Sequence, residues 1–224
     1  CWRRIIAITS IGGEAMSSLG KERTAVQEPI LDYAKEIGWE YISPDEASRL
    51  KGGEAGFVFK DVFIRQIQKL NPDFMDNVLA EQLLKDITRI PANIEGNLKV
   101  WEYLKGLKTI FVPDKKRERN VKFIDTDNIE RNIFQVTDEF SFTNGSKKIR
   151  LDIVFLINGI PVIFVETKAS HKVDGIAEGL DQVKRYHREC PDLMVMLQLY
   201  AITHIIKYYY GATWSVSERY LFNW

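Results

Sequence analysis

Residues 150–168 read Arg150-Leu-Asp-Ile-Val-Phe-Leu-Ile-Asn-Gly-Ile-Pro-Val-Ile-Phe-Val-Glu-Thr-Lys168. Two apolar runs, Ile153 to Ile157 and Val162 to Val165, are each long enough for a strand buried on both faces, and Asn158-Gly159 between them is a hairpin turn signal. Charge stands only at the ends: Asp152 opens the first run, while Glu166 and Lys168 close the second. Side chains alternate along a strand, so Glu166 and Lys168 point one way and Thr167 the other.

Whether Asp152 joins them is a matter of register. A two-residue loop at Asn158-Gly159 pairs Ile157 with Ile160 and Asp152 with Val165, which puts Asp152 and Glu166 on opposite faces. A three-residue loop, or one bulge in either strand, shifts the count by one and brings both carboxylates to the same face. The odd count is the expectation here, because Pro161 cannot donate to a ladder and Gly159 readily takes positive φ.

Two carboxylates converging at the end of a hydrophobic sheet repel each other unless a cation lies between them. Hard oxygen ligands with open positions suit Mg²⁺, and a neighbouring lysine can orient an attacking water or offset charge on a phosphate. An isolated Glu-x-Lys triplet is an ordinary strand-end ion pair. Preceded by an Asp at the mouth of a paired buried strand, it reads as a metal-dependent hydrolytic centre.

Asp152 followed by Glu166-Thr167-Lys168 resembles the PD-(D/E)xK nuclease signature, with Leu151 where the pattern has proline. The whole phrase is similar to the amino-terminal endonuclease domain of the restriction subunit of type I restriction enzymes. The resemblance extends to Val26-Gln27 through Gly38-Trp39, the Leu70-Asn71-Pro72 triplet, Val121 to Phe142, and Tyr210-Gly211. Gln182 and Tyr186 match the Q-x-x-x-Y motif that accompanies the Glu-x-Lys strand in this group and in RecB-type nucleases.

The resemblance implies Mg²⁺-dependent cleavage of double-stranded DNA. Asp152 and Glu166 would be the metal ligands, Lys168 the group at the attacking water or phosphate, and Gln182 and Tyr186 the support on the DNA side. It implies methyltransferase and specificity subunits as partners, and an ATP-driven motor following the nuclease domain. No GxxxxGK[ST] pattern occurs in this chain, so ATP enters only through that motor, and the chain is expected to be a fragment of a longer protein. Its first residue, Cys1, gives the same expectation for the other end.

Composition sets broad bounds. The 224 residues include 45% apolar and 28% charged ones, ordinary for a folded domain, with a formal net charge of zero. A DNA partner must therefore be met by a local positive field. Two cysteines without metal-ligand spacing argue against a zinc module or disulfide scaffold and fit a reducing cytoplasm. No membrane-length apolar run occurs.

The expected architecture is α/β: a restriction-endonuclease-like mixed sheet with a central antiparallel hairpin, flanking helices and an inserted helical lobe. Residues 1–20 read as an extension and 21–224 as the nuclease domain, with the helical insertion at about 54–108. Val26 to Ile37 has helical spacing, with Glu28 opposite the apolar stripe. Ser43 to Phe57 reads as a glycine-rich loop.

Phe57 to Leu70, Phe74 to Ile90 and Ile94 to Leu107 read as helices, the last with Leu98, Trp101 and Leu104 on one side. The basic run 114–119 reads as a solvated loop, or as an edge contacting phosphates. Val121 to Ile124 and Ile133 to Phe142 read as strands, the second leading through Asn144-Gly145 into the central hairpin.

Gly175 to Glu189 reads as a helix whose core stripe is Ile176, Leu180, Val183 and His187, with Gln182 and Tyr186 on a separate stripe that reaches the sheet edge. Leu193 to Leu199 and Ile202 to Tyr209 close the sheet. His171 and His204 read as satisfied structural histidines. The rival readings are a stand-alone repair or junction nuclease, and a non-catalytic DNA-binding or subunit-docking module of the same fold.

Overall fold

The computed structural model of the chain describes residues 26–168, 175–204 and 207–223. Its elements in order are α1 (Glu28–Glu36), β1 (Glu40–Tyr41), α2 (Pro44–Leu50), α3 (Lys60–Leu70), α4 (Asn77–Thr88), α5 (Ile94–Leu104), β2 (Thr109–Val112) and β3 (Arg117–Asn120). The central strands β4 (Phe134–Asn144), β5 (Lys147–Ile157) and β6 (Ile160–Thr167) follow. The chain then forms α6 (Gly175–Glu189), α7 (Pro191–Met194), β7 (Leu199–Thr203), β8 (Tyr208–Ala212) and β9 (Phe222–Asn223).

Seven strands make one sheet in the order β1-β4-β5-β6-β7-β8-β9, while β2 and β3 form a separate hairpin. The strands β4, β5 and β6 run as an antiparallel meander, β7 lies parallel to β6, and β1 lies parallel to β4. The expected mixed sheet with an antiparallel hairpin at its heart is thus present. Leu151, Ile153, Val154, Phe155 and Leu156 are all fully buried, because helices cover both faces of the middle strands.

Alternation fixes what each face meets. Thr167 and Phe155 face α1 and Trp39, whose ring lies 5.0 Å from Phe155 and 5.1 Å from Phe134. Glu166, Phe164 and Ile202 face α6; Tyr186 lies edge-on to Phe164, and a Cβ at Gly179 would stand 2.5 Å from Cγ2 of Ile202. Glycine at this point lets the helix settle directly on β7.

The hairpin turn is itself buried. Asn158 and Gly159 take φ of 53° and 81°, the pair of left-handed residues that a tight two-residue hairpin needs. The Asn158 amide donates to the Phe123 carbonyl and the Asn132 side chain and accepts from the Ile133 N–H and Gln66. Gly159 receives the N–H of Phe59 on its carbonyl, and a Cβ there would come within 2.7 Å of the Phe59 carbonyl. The turn is pinned to the start of α3.

Several local expectations are corrected. Residues 43–57 contain α2, because the Ser43 hydroxyl caps the Glu46 N–H and Pro44 opens the helix. Val121 to Ile124 is not a strand: the Asn71 side chain bonds both the N–H and the carbonyl of Lys122, and the neighbouring polar run 117–120 pairs as β3 instead. On α5 the buried positions are Gly96, Val100, Tyr103 and Leu104, since Tyr103 stacks on Phe123, and this turns Leu98 and Trp101 outward.

The apolar run after Pro191 begins as the short α7, so β7 starts only at Leu199, and β8 starts at Tyr208 rather than Ile202. A fully buried run carries no period that separates helix from strand. The expectation for residues 1–20 and the reading of His171 fall outside the described residues.

Candidate functional site

The deciding register is resolved by one residue. Ile157 pairs with Ile160 and Leu156 with Pro161, but Phe155 pairs with Ile163, so Val162 is an extra residue in β6. Its carbonyl is taken by the Gln198 N–H from the approach to β7. Beyond this bulge Ile153 pairs with Val165, the last pair of the ladder, and Asp152 and Glu166, which flank that pair, fall on the same face. Across the other edge of β5, the position opposite Asp152 is Glu139, a non-glycine residue at φ 51° whose carboxylate pairs with Arg150 at 2.5 Å.

Asp152 is partly exposed. Its Oδ2 accepts the Thr167 N–H at 2.7 Å and the Thr167 hydroxyl at 2.9 Å, while its Oδ1 takes no hydrogen bond from a described residue. Glu166 is fully buried: Lys168 Nζ donates to its Oε1 at 2.8 Å, and the Tyr186 hydroxyl lies 3.1 Å from its Oε2. Burial, and then the Asp152 charge, push the Glu166 carboxyl up to about 8, although Lys168 and Tyr186 pull the other way.

Lys168 also donates to Gln182 Oε1 at 2.9 Å, so two of its three N–H donors are engaged among the described residues. The Gln182 amide in turn donates to the Tyr186 hydroxyl, which also lies 3.0 Å from the Arg150 carbonyl. That hydroxyl has one proton, so it serves either Glu166 or Arg150 at a given moment. Burial, followed by the Glu166 charge, holds the Tyr186 phenol far above its usual value.

Asp152, Glu166, Lys168, Gln182 and Tyr186 therefore meet at the carboxyl end of β6. The face of α6 differs from the sequence reading: Gly179, Leu180, Val183 and Tyr186 are buried, while Ile176 and His187 are only partly so. Tyr186 belongs to the core stripe because Gly179 lets the helix roll onto Ile202. Tyr186 is fully buried, and its hydroxyl is directed at Glu166.

Two residues of the cluster escaped sequence reasoning. Thr167 bonds Asp152 as described, and Gln27, at the start of α1, donates from Nε2 to Thr167 Oγ1 at 3.0 Å. The available signal was a glutamine in line with Leu31 and Ala34 on the buried side of a helix, and a hydroxyl on the buried face of a strand.

Other candidates lie elsewhere. Glu28 is exposed, and the basic run 114–119 contacts Asp73 and Phe74 through Lys115 and Arg119. His204 is buried, but among the described residues neither ring nitrogen has a hydrogen-bond partner, which does not match the satisfied histidine expected. It follows the last residue of β7, where its backbone N–H, rather than its ring, is taken up by the Lys207 carbonyl.

Among the described residues no cluster of three or more His, Cys, Asp and Glu side chains is placed to hold a metal. A donor set of two carboxylates still fits a hard cation that keeps much of its water. Oδ1 of Asp152 takes no hydrogen bond from a described residue, and a divalent charge would offset the Asp152 repulsion that, after burial, raises Glu166.

Residues 20–218 match the family model described as type I restriction enzyme R protein N terminus. Among curated proteins, the putative type I restriction enzyme MjaVIIP endonuclease subunit of Methanocaldococcus jannaschii is 39% identical over 104 residues, 46% of this chain and 9% of that protein. The putative MjaIXP endonuclease subunit of the same organism is 27% identical over 216 residues, covering 91% of this chain and 20% of that protein. A type I restriction enzyme endonuclease subunit from Staphylococcus aureus strain COL is 32% identical over 114 residues, 50% of this chain and 12% of that protein. The chain thus spans a small part of each relative's length. With the family model matching nearly its whole length, the chain belongs to the family of type I restriction enzyme R protein N-termini.

Proposed function

We propose that the chain is the DNA-cleaving domain of a type I restriction subunit, hydrolysing phosphodiester bonds of double-stranded DNA with Mg²⁺. The observation that carries this reading is the bulge at Val162, which brings Asp152 to the same face as Glu166, beside Lys168. The relatives named as type I endonuclease subunits support it.

In this reading Asp152 Oδ1 and the Glu166 carboxylate hold the cation, with help from a main-chain carbonyl near Thr167. A divalent cation bound there supplies positive charge that offsets the carboxylates and the scissile phosphate. Lys168 uses its remaining N–H to orient the attacking water or to offset charge on the phosphate oxygens. Gln182 and Tyr186 hold Lys168 and Glu166 in place, and the packed core beneath them keeps the cluster rigid.

Partners follow from the family: methyltransferase and specificity subunits that select the DNA, and an ATP-driven motor outside this chain. The setting would be a reducing cytoplasm. No helix among the described residues is long and apolar enough to cross a membrane.

The test is cleavage of supercoiled DNA by the 224-residue chain with Mg²⁺ or Mn²⁺, alongside Asp152→Ala and Lys168→Ala. Metal-dependent cutting that both variants lose supports the reading, and cutting retained by both overturns it. Calorimetry showing no Mn²⁺ uptake dependent on Asp152 would instead favour a docking module of the same fold.

A further inference from the structure

The described residue that bonds Asp152 comes from the face of the sheet away from Lys168, and its two bonds, one from the side chain and one from the backbone, arrive on one oxygen. Thr167 lies between Glu166 and Lys168, so alternation turns it toward α1. It is fully buried there, in a place where valine would bury more apolar surface. Its hydroxyl and backbone N–H both reach Oδ2 of Asp152, and its hydroxyl accepts from Gln27 Nε2.

Resting on the nuclease reading above, we infer that Gln27 and Thr167 are positioning residues of the cation site, holding Oδ2 of Asp152 so that Oδ1 is presented to a divalent cation. The directions of the bonds leave little choice. An ionised carboxylate only accepts, so the Thr167 hydroxyl must donate to Asp152, and its lone pair is then what Gln27 meets with an N–H.

That assignment leaves Gln27 Oε1 buried with no donor among the described residues. A buried unsatisfied acceptor is destabilising, and turning the amide over would satisfy it with the threonine proton. The turned amide would also take that proton away from Asp152. The unsatisfied orientation is the one that keeps the carboxylate fixed.

The relay crosses the sheet, from a helix 140 positions upstream in sequence to the rim where the acids meet. It makes Gln27 a residue that acts on the cation without touching it. Residues behind a metal ligand typically change metal affinity by about 10- to 100-fold when removed, and this magnitude separates a relay from simple packing.

The test is Mn²⁺ titration calorimetry on the 224-residue chain, with thermal unfolding of each variant. Thr167→Val keeps the shape and the backbone bond but removes the hydroxyl, whereas Thr167→Ser keeps the hydroxyl. Because Thr167→Val strands the Gln27 amide in the core, Thr167→Val with Gln27→Leu is measured too. The expected result is a Kd for Mn²⁺ raised about 10-fold or more in both variants lacking the hydroxyl, near wild type in Thr167→Ser, with thermal stability recovered in the double variant.

In DNA cleavage the loss should be regained at higher Mn²⁺, so that the metal concentration for half-maximal rate moves and the plateau does not. Wild-type affinity in Thr167→Val and the double variant, with Asp152→Ala unable to bind, overturns the relay and leaves the nuclease reading standing. Wild-type affinity in Asp152→Ala as well overturns both.

Discussion

Asp152 and Glu166 come to the same face of the β5–β6 pair because one residue, Val162, is extra in β6, so that Ile153 pairs with Val165 and each acid flanks that pair. Burial first, and then repulsion from the Asp152 charge, raises the Glu166 carboxyl. Replacing Asp152 with Asn relieves that repulsion while preserving shape. We expect Asp152→Asn to unfold at the same temperature as wild type or higher, while DNA cleavage falls by at least about 100-fold. A variant that lost stability and activity in parallel would assign Asp152 to the scaffold.

Glu166 gives a pH signature. Its folded value of about 8 lies above its ordinary 4.5, so between those values the folded chain holds a proton that the unfolded chain has released. Stability without a divalent cation is therefore greatest at the acidic end of this window and falls as pH rises, by up to about 1.4 kcal/mol per unit from this group. Glu166→Gln should flatten the slope in urea denaturation between pH 5 and 8. Mn²⁺ affinity should rise over the same window, with proton release in calorimetry, because the cation competes with that proton.

Gly179 sets the distance between α6 and β7. A methyl group there would meet Cγ2 of Ile202 at 2.5 Å, forcing the helix, and with it Gln182 and Tyr186, away from Lys168 and Glu166. We expect Gly179→Ala to reduce cleavage by about 10-fold or more, and Gly179→Ala with Ile202→Ala to recover most of it despite the smaller core. Unchanged activity in the single variant would mean that the helix position does not matter to the site.

Gly159 combines a left-handed φ with a Cβ position 2.7 Å from the Phe59 carbonyl. Gly159→Ala should cost about 2–4 kcal/mol in urea unfolding. Gly145, in the outer hairpin turn at φ 59° with open space around it, is the matched control and should cost only about 1 kcal/mol when changed to Ala.

Much of this arrangement was legible from the chain because it is local. Alternation alone groups Glu166 with Lys168 and separates Thr167, and the register arithmetic calls for one odd residue. Its location in the strand at Val162, rather than in the turn, depends on Gln198 taking the Val162 carbonyl, which no spacing reveals. The i, i+4 spacing of Gln182 and Tyr186 was visible, yet the roll of α6 was not, since it follows from the contact of Gly179 with Ile202.

Gln27 and Thr167 were out of reach for the same reason: a polar pair joined across 140 positions leaves no periodic trace. The missed α2 has another cause. Its start signals, Ser43 and Pro44, were present, but the nearby Gly52, Gly53 and Gly56 dominated the reading.

The buried turn at Asn158-Gly159 has a consequence for when conformational freedom is lost. Anchored to α3 at one end and meeting the two acids at the other, the hairpin behaves as a strut that cannot slide by a residue without exposing its own interior. The entropy of aligning the charged groups is therefore spent during folding and not when a ligand arrives. Insertions or deletions between Ile153 and Val165 should be the least tolerated in the chain, whereas the outer turn near Gly145 can change length freely.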